Sequence, residues 1–182
     1  MSDSSKVISR WFGKNSTPNG SLNPALGMTG IRLCLAEPVM FRTQMRAILR
    51  AAVHGPVRMM WPMITSVSEV RQCLIHLDTA QRQLAERGDA FGKVGIGCMI
   101  EIPSAALTVG SILKLVDFIS VGTNDLIQYI LSVDRGDDSV SHLYQPGHPA
   151  VLKMLQHVIR TANRMDKDVS VCGEMAGDTA FT

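Results

Sequence analysis

Apolar positions change their period several times along this chain, and each change marks an element. After Pro38, residues Phe41, Met45, Ile48, Leu49 and Ala52 recur at helical spacing, with Pro38 suited to a first turn, so a helix is predicted over 37–53. His54-Gly55-Pro56 ends it. Val57 to Ile64 is a short, nearly continuous apolar run, the pattern of a strand buried on both faces. Ser66 and Glu69 then spell a capping box, and Val67, Val70, Leu74, Leu77 and Leu84 carry a helix on to Arg87. The alternation continues with strands over 94–102, 116–122 and 169–173 and helices over 104–115, 124–133 and 149–165. An irregular stretch covers 134–148.

Strands alternating with helices predict an α/β fold around a parallel sheet with right-handed crossovers, either doubly wound or closed as a barrel. Periodicity does not separate the two. It does place Glu101, Asn124, Asp125, Cys172 and Glu174 at or just after the C-terminal ends of strands, the edge at which both architectures bind ligands. Residues 1–22 show neither period and end in the turn-rich Asn15 to Ser21. They are expected to be a poorly ordered leader, unless Trp11 and Phe12 find a partner, before a single domain over 23–182.

Composition removes several classes of function. With 46% hydrophobic residues in 182, the chain has material for a core. The 18 basic residues are scattered singly against 16 acidic ones, which does not favour a nucleic-acid binder. No apolar run approaches the ~18 residues that span a bilayer, and the N-terminus lacks the apolar segment of a secretory signal, so a cytoplasmic protein is expected. Cys34, Cys73, Cys98 and Cys172 form no CxxC pair, and the first three sit in apolar stretches as core thiols.

Candidate chemistry gathers at the predicted strand ends. Glu101 and Asp125 follow neighbouring strands, and magnesium is commonly held by one or two carboxylates while substrate oxygens and water complete the octahedron. The same pair is equally compatible with a surface acid and a helix cap. Asn124 presents an amide and a backbone N–H at a helix start, where an anion is favoured, or is itself a cap. Arg135 opens the irregular loop, free to grip a phosphate bidentately or to pair with Asp134 or Asp137. Cys172, followed by Gly173 and Glu174, differs from the other thiols in lying on the functional edge, as nucleophile or proton donor or as a half-buried structural residue. None of the five histidines has a catalytic partner visible in sequence.

Six segments taken together carry a resemblance: NPALG at 23–27, MIEIPSAA at 99–106, VGTNDLIQY at 121–129, VDRGD at 133–137, SHLYQP at 141–146 and VCGEMAGD at 171–178. In this order they resemble the C-terminal domain of the enzyme I family, the phosphoenolpyruvate–protein phosphotransferases of bacterial sugar uptake, among the phosphoenolpyruvate-utilising enzymes. The resemblance implies a dimerising (β/α)8 TIM barrel that binds phosphoenolpyruvate and yields pyruvate. By matched position it implies Glu101 and Asp125 as magnesium ligands and Asn124 and Arg135 as substrate-binding residues. Cys172 would be the catalytic acid that protonates the enolate carbon. A complete barrel of this type takes ~250 residues, and this chain supplies roughly five of its eight βα units, so a partial barrel lacking strands at both ends is expected.

Two departures bear on chemistry. Where the family carries an arginine two residues after the glycine of NPxLG, this chain has Thr29, and residues 1–22 match neither of the two preceding strands, which bring further phosphate-binding arginines. The expectation is therefore a fragment that binds phosphoenolpyruvate without completing phosphotransfer, reaching the phosphocarrier protein only through domains it does not carry. A magnesium-dependent lyase or aldolase acting on pyruvate-like compounds is the alternative, as is a non-catalytic partner of full-length enzyme I.

Overall fold

The computed structural model describes residues 23–179, so the predicted leader lies outside the described residues. Helix α1 spans Ile31–Ala36, α2 Pro38–Ala51, α3 Val67–Glu86, α4 Pro103–Leu107, α5 Val109–Leu113, α6 Thr123–Leu131 and α7 Pro149–Arg164. The strands are β1 Val57–Trp61, β2 Val94–Ile100, β3 Phe118–Gly122 and β4 Asp168–Cys172.

Each long helix forms where the sequence supplies both a start signal and an apolar stripe. Pro38 occupies the first turn of α2, which buries Phe41, Met45 and Leu49. The capping box of α3 is complete: Ser66 Oγ accepts from Glu69 N, and the Glu69 carboxylate accepts from Ser66 N. Its buried residues Val70, Cys73, Leu77, Ala80 and Leu84 alternate steps of three and four, which keeps them on one face. Val151, Leu155, Val158 and Ala162 do the same for α7.

Two predicted elements differ in outline, and one helix was not predicted. The first strand stops at Trp61, and Met63 takes φ 56°, turning the chain where a further strand residue was expected. The predicted helix over 104–115 is two short helices that meet at Thr108, whose ψ of 17° leaves the helical range. A separate helix, α1, precedes the predicted one; its stripe of Ile31 and Cys34 is too short to be seen as a period.

The sheet decides between the two architectures. Its order is β1-β2-β3-β4 with every neighbouring pair parallel. Each crossover steps the same way, so right-handed connections place every helix on one face, whereas a doubly wound sheet reverses direction at a switch point. Met59, Trp61, Ile96, Cys98, Ile100, Ile119 and Val121 bury themselves on the helical face. The other face curls inward. Arg58 of β1 reaches Asp168 of β4 at 2.6 Å, with its guanidinium 4.0 Å from the centre of the Phe118 ring between them. In a flat sheet three strand spacings would hold β1 and β4 ~14 Å apart. A Cβ at Gly97 would collide with the Phe118 ring, so a glycine there lets the ring lie across the concave side. The result is a segment of a (β/α) barrel.

Candidate functional site

The C-terminal ends of β2, β3 and β4 bring the predicted residues to one edge. Glu101 follows β2 directly, Asn124 and Asp125 lie in the first turn after β3, and Cys172 is the last residue of β4. Register explains the meeting: Ile100 pairs with Val121 and Gly122 with Cys172, so the three strands end nearly level.

Glu101 is 5% exposed, and its Oε1 accepts from Met63 N at 2.6 Å. The positive φ of Met63 thus belongs to the turn that aims an N–H at the carboxylate. Burial pushes the Glu101 carboxyl up to about 7; the Met63 bond opposes the rise and the negative charge of Asp125 adds to it. Gly122 makes room for the group, since a Cβ there would stand 2.9 Å from Glu101 Oε2 and 3.0 Å from Met99 Sδ.

The donor set fits a magnesium ion of the kind that leaves most positions to substrate and water. Two carboxylates meet at one mouth, where burial and then the charge of Asp125 raise the Glu101 carboxyl, and a divalent cation would offset that repulsion. Among the described residues no group of three or more His, Cys, Asp or Glu could hold a metal.

Around the carboxylates the side chains are held by their neighbours. Asn124 Oδ1 accepts from Glu174 N at 2.9 Å, and Asn124 O accepts from Tyr144 OH at 3.3 Å. Gly173 has φ 107°, and a Cβ there would lie 2.7 Å from Asn124 Oδ1, so the glycine permits the close approach. Arg135 pairs with Glu174 at 3.2 Å rather than with Asp134 or Asp137. Those two aspartates are taken by their own turns, accepting from Gly136 N and Ser139 N.

Cys172 is half-buried, whereas Cys34, Cys73 and Cys98 are buried in the core with thiols pushed well above their ordinary range. Its thiol donates to Val121 O at 3.4 Å and accepts from Ser120 Oγ at 3.5 Å. The backbone of the same strand end is tied down by Thr123 Oγ1, which donates to Cys172 O at 2.8 Å. Sequence reasoning missed Ser120 and Thr123. The strand alternation that puts Ser120 on the face of Gly122 is the signal that was available for the first.

It also missed Arg32 and Tyr129. Tyr129, one turn after Asp125, donates to Ala25 O at 2.6 Å, and Arg32 Nη1 donates to Leu26 O at 2.8 Å and Gly27 O at 3.2 Å. Burial, then the charges of Asp125 and Glu101, raise the Tyr129 phenol, with Arg32 acting the other way.

The family described as "PEP-utilising enzyme, PEP-binding domain" matches residues 14–182. The chain belongs to this family. It is similar to phosphoenolpyruvate–protein phosphotransferases, with 53% identity to the protein of Cupriavidus necator, 48% to that of Geobacillus stearothermophilus and 46% to that of Bacillus subtilis. These matches cover 86–89% of this chain and 27–28% of the relatives' own length. A solved structure, a citrate lyase from Burkholderia xenovorans, shares the fold at a TM-score of 0.54 and 20% identity, covering 74% of this chain and 43% of that one. Among the described residues no helix is long and apolar enough to cross a membrane.

Proposed function

We propose that this chain is the phosphoenolpyruvate-binding part of a phosphoenolpyruvate–protein phosphotransferase of cytoplasmic sugar uptake, binding its substrate with magnesium on Glu101 and Asp125. The observation that carries this is the level ending of β2, β3 and β4, which puts two carboxylates, an anchored amide and a half-buried thiol at one mouth in a member of that family. A magnesium ion there would offset negative charge on the substrate oxygens. Asn124 and Arg135 bind the substrate anion: the amide is oriented by Glu174 N, and the guanidinium is paired with the Glu174 carboxylate.

Cys172 moves the proton. Loss of the phosphoryl group from phosphoenolpyruvate leaves the enolate of pyruvate, and a proton from Sγ to C3 completes the methyl group. Ser120, donating into the sulfur, steadies the thiolate that remains. Complete phosphotransfer also needs a histidine to accept the phosphoryl group. The lyase alternative rests on fold likeness alone. Self-association, or association with a longer phosphotransferase, accompanies the reading as a further expectation.

Calorimetry of phosphoenolpyruvate binding tests it. Binding should require magnesium and weaken at least about ten-fold in Glu101→Gln and in Asp125→Asn. Cys172→Ala should bind within about two-fold of the unaltered chain yet lose exchange of the pyruvate methyl protons with deuterated solvent. Binding that is equal with and without magnesium would refute the metal assignment, and exchange that persists in Cys172→Ala would refute the proton donor.

A further inference from the structure

The outer strands of the sheet, β1 and β4, each have one hydrogen-bonded neighbour among the described residues, and an unpaired strand edge is a template for another strand. The two edges are not alike. Beside β1, the helices α1 and α2 leave an apolar cleft lined by Ile31, Phe41, Met45, Ile48, Met59 and Trp61, to which β2 contributes no residue. Trp61 is buried there, yet its Nε1–H meets no acceptor. At β4 it is the strand that lacks cover. Val169 and Val171 pair with Ile119 and Val121, which puts all four on the helical face. Ile119 and Val121 are fully buried, whereas Val169 is half-buried and Val171 is 37% exposed.

One edge therefore offers helices over an unfilled apolar cleft, and the other a strand with apolar side chains to fill it. A two-fold axis parallel to the strands sets β4 of one copy beside β1 of a second, with every strand still parallel. The same operation makes an identical seam on the opposite side. Two curled four-stranded sheets give eight strands, the number at which a barrel's interior is just filled by its own side chains. The concave curl that lets Arg58 of β1 reach Asp168 of β4 bends the sheet in the sense this closure needs.

We infer that two copies of this chain close into one eight-stranded barrel, with β4 of each seated in the cleft beside β1 of the other. Val169 and Val171 then lie under α1 and α2 of the second copy, against its Met59 and Trp61. The shared mouth carries Glu101, Asp125 and Cys172 from both copies, so each site is walled by the other. Nothing in this closure depends on the phosphoenolpyruvate reading, and its failure leaves that reading intact.

Sedimentation equilibrium of the 182-residue chain should give twice the chain mass at ~10 μM. Val171→Lys puts a charge on the strand side of the seam and Ile48→Glu puts one on the cleft side; each alone should weaken self-association at least about 100-fold. An equimolar mixture of the two should dimerise again, because one seam is then unaltered and the other sets the new lysine against the new glutamate. Amide deuterium exchange on the unaltered chain serves if either variant fails to fold: residues 57–61 and 168–172 should lose protection together on dilution. A chain that is monomeric at ~100 μM overturns the inference, as do variants that remain monomeric when mixed or a dimer that both variants leave intact. Protection of the β1 edge that is independent of concentration also overturns it, since another part of the same chain would then cover that edge.

Discussion

Replacing Glu101 by Gln keeps an acceptor for Met63 N and removes the charge, so it isolates the cost of an ionised carboxylate in this position. In the unfolded chain the group titrates at its ordinary 4.5, and in the folded chain burial moves it to about 7. A folded value above the unfolded one means that this group's contribution to stability is complete below 4.5 and is lost as pH rises through about 7. The interval corresponds to ~3 kcal/mol. For a chain of this length that is on the order of 10 °C in melting temperature. The assay is thermal unfolding of both proteins, with a metal chelator, at intervals from pH 4.5 to pH 8. The two should match at the acid end, and Glu101→Gln should become the more stable by the full amount at pH 8. Magnesium at pH 8 should then raise the melting temperature of the unaltered chain and leave that of the variant nearly unchanged. A stability difference that stays constant across the range would refute the buried, uncompensated carboxylate.

Two further outcomes follow from packing. In Gly122→Ala the new Cβ meets Glu101 Oε2 at 2.9 Å, so the carboxylate must shift; magnesium-dependent binding of phosphoenolpyruvate should weaken about ten-fold while the melt changes by ~1 kcal/mol, and unaltered binding would show that Glu101 is not held in that place. A double-mutant cycle on Arg58→Ala and Asp168→Ala should give a coupling of about 0.5 kcal/mol that fades in 1 M salt, since both side chains are largely exposed; a coupling insensitive to salt would contradict a solvent-exposed pair.

The order and type of the elements were legible because each depends on neighbours a few residues apart. The three-and-four spacing of Val70, Cys73, Leu77, Ala80 and Leu84 belongs to one helix whatever it packs against, and the Ser66–Glu69 cap is closed within a single turn. Strand ends were legible for the same reason. An apolar run that stops at a carboxylate puts Glu101 at a sheet edge, and strands that alternate with helices and so run parallel put Asn124, Asp125 and Cys172 on that edge with it.

What the chain's local pattern left open was the sense of winding and the identity of distant partners. Barrel-type or doubly wound layout turns on strand order, and that order is fixed by which edges pair in three dimensions. Arg135 was next to two aspartates in sequence, yet its partner is Glu174, 39 residues on, because the aspartates close their own turns first. Tyr129 meets Ala25 across 104 residues and Arg58 meets Asp168 across 110. Such pairs leave no period to read. Hydrophobic periodicity determines which face of an element is buried, whereas strand register and sheet curvature, set by the whole packed core, decide which polar side chains stand within reach of one another.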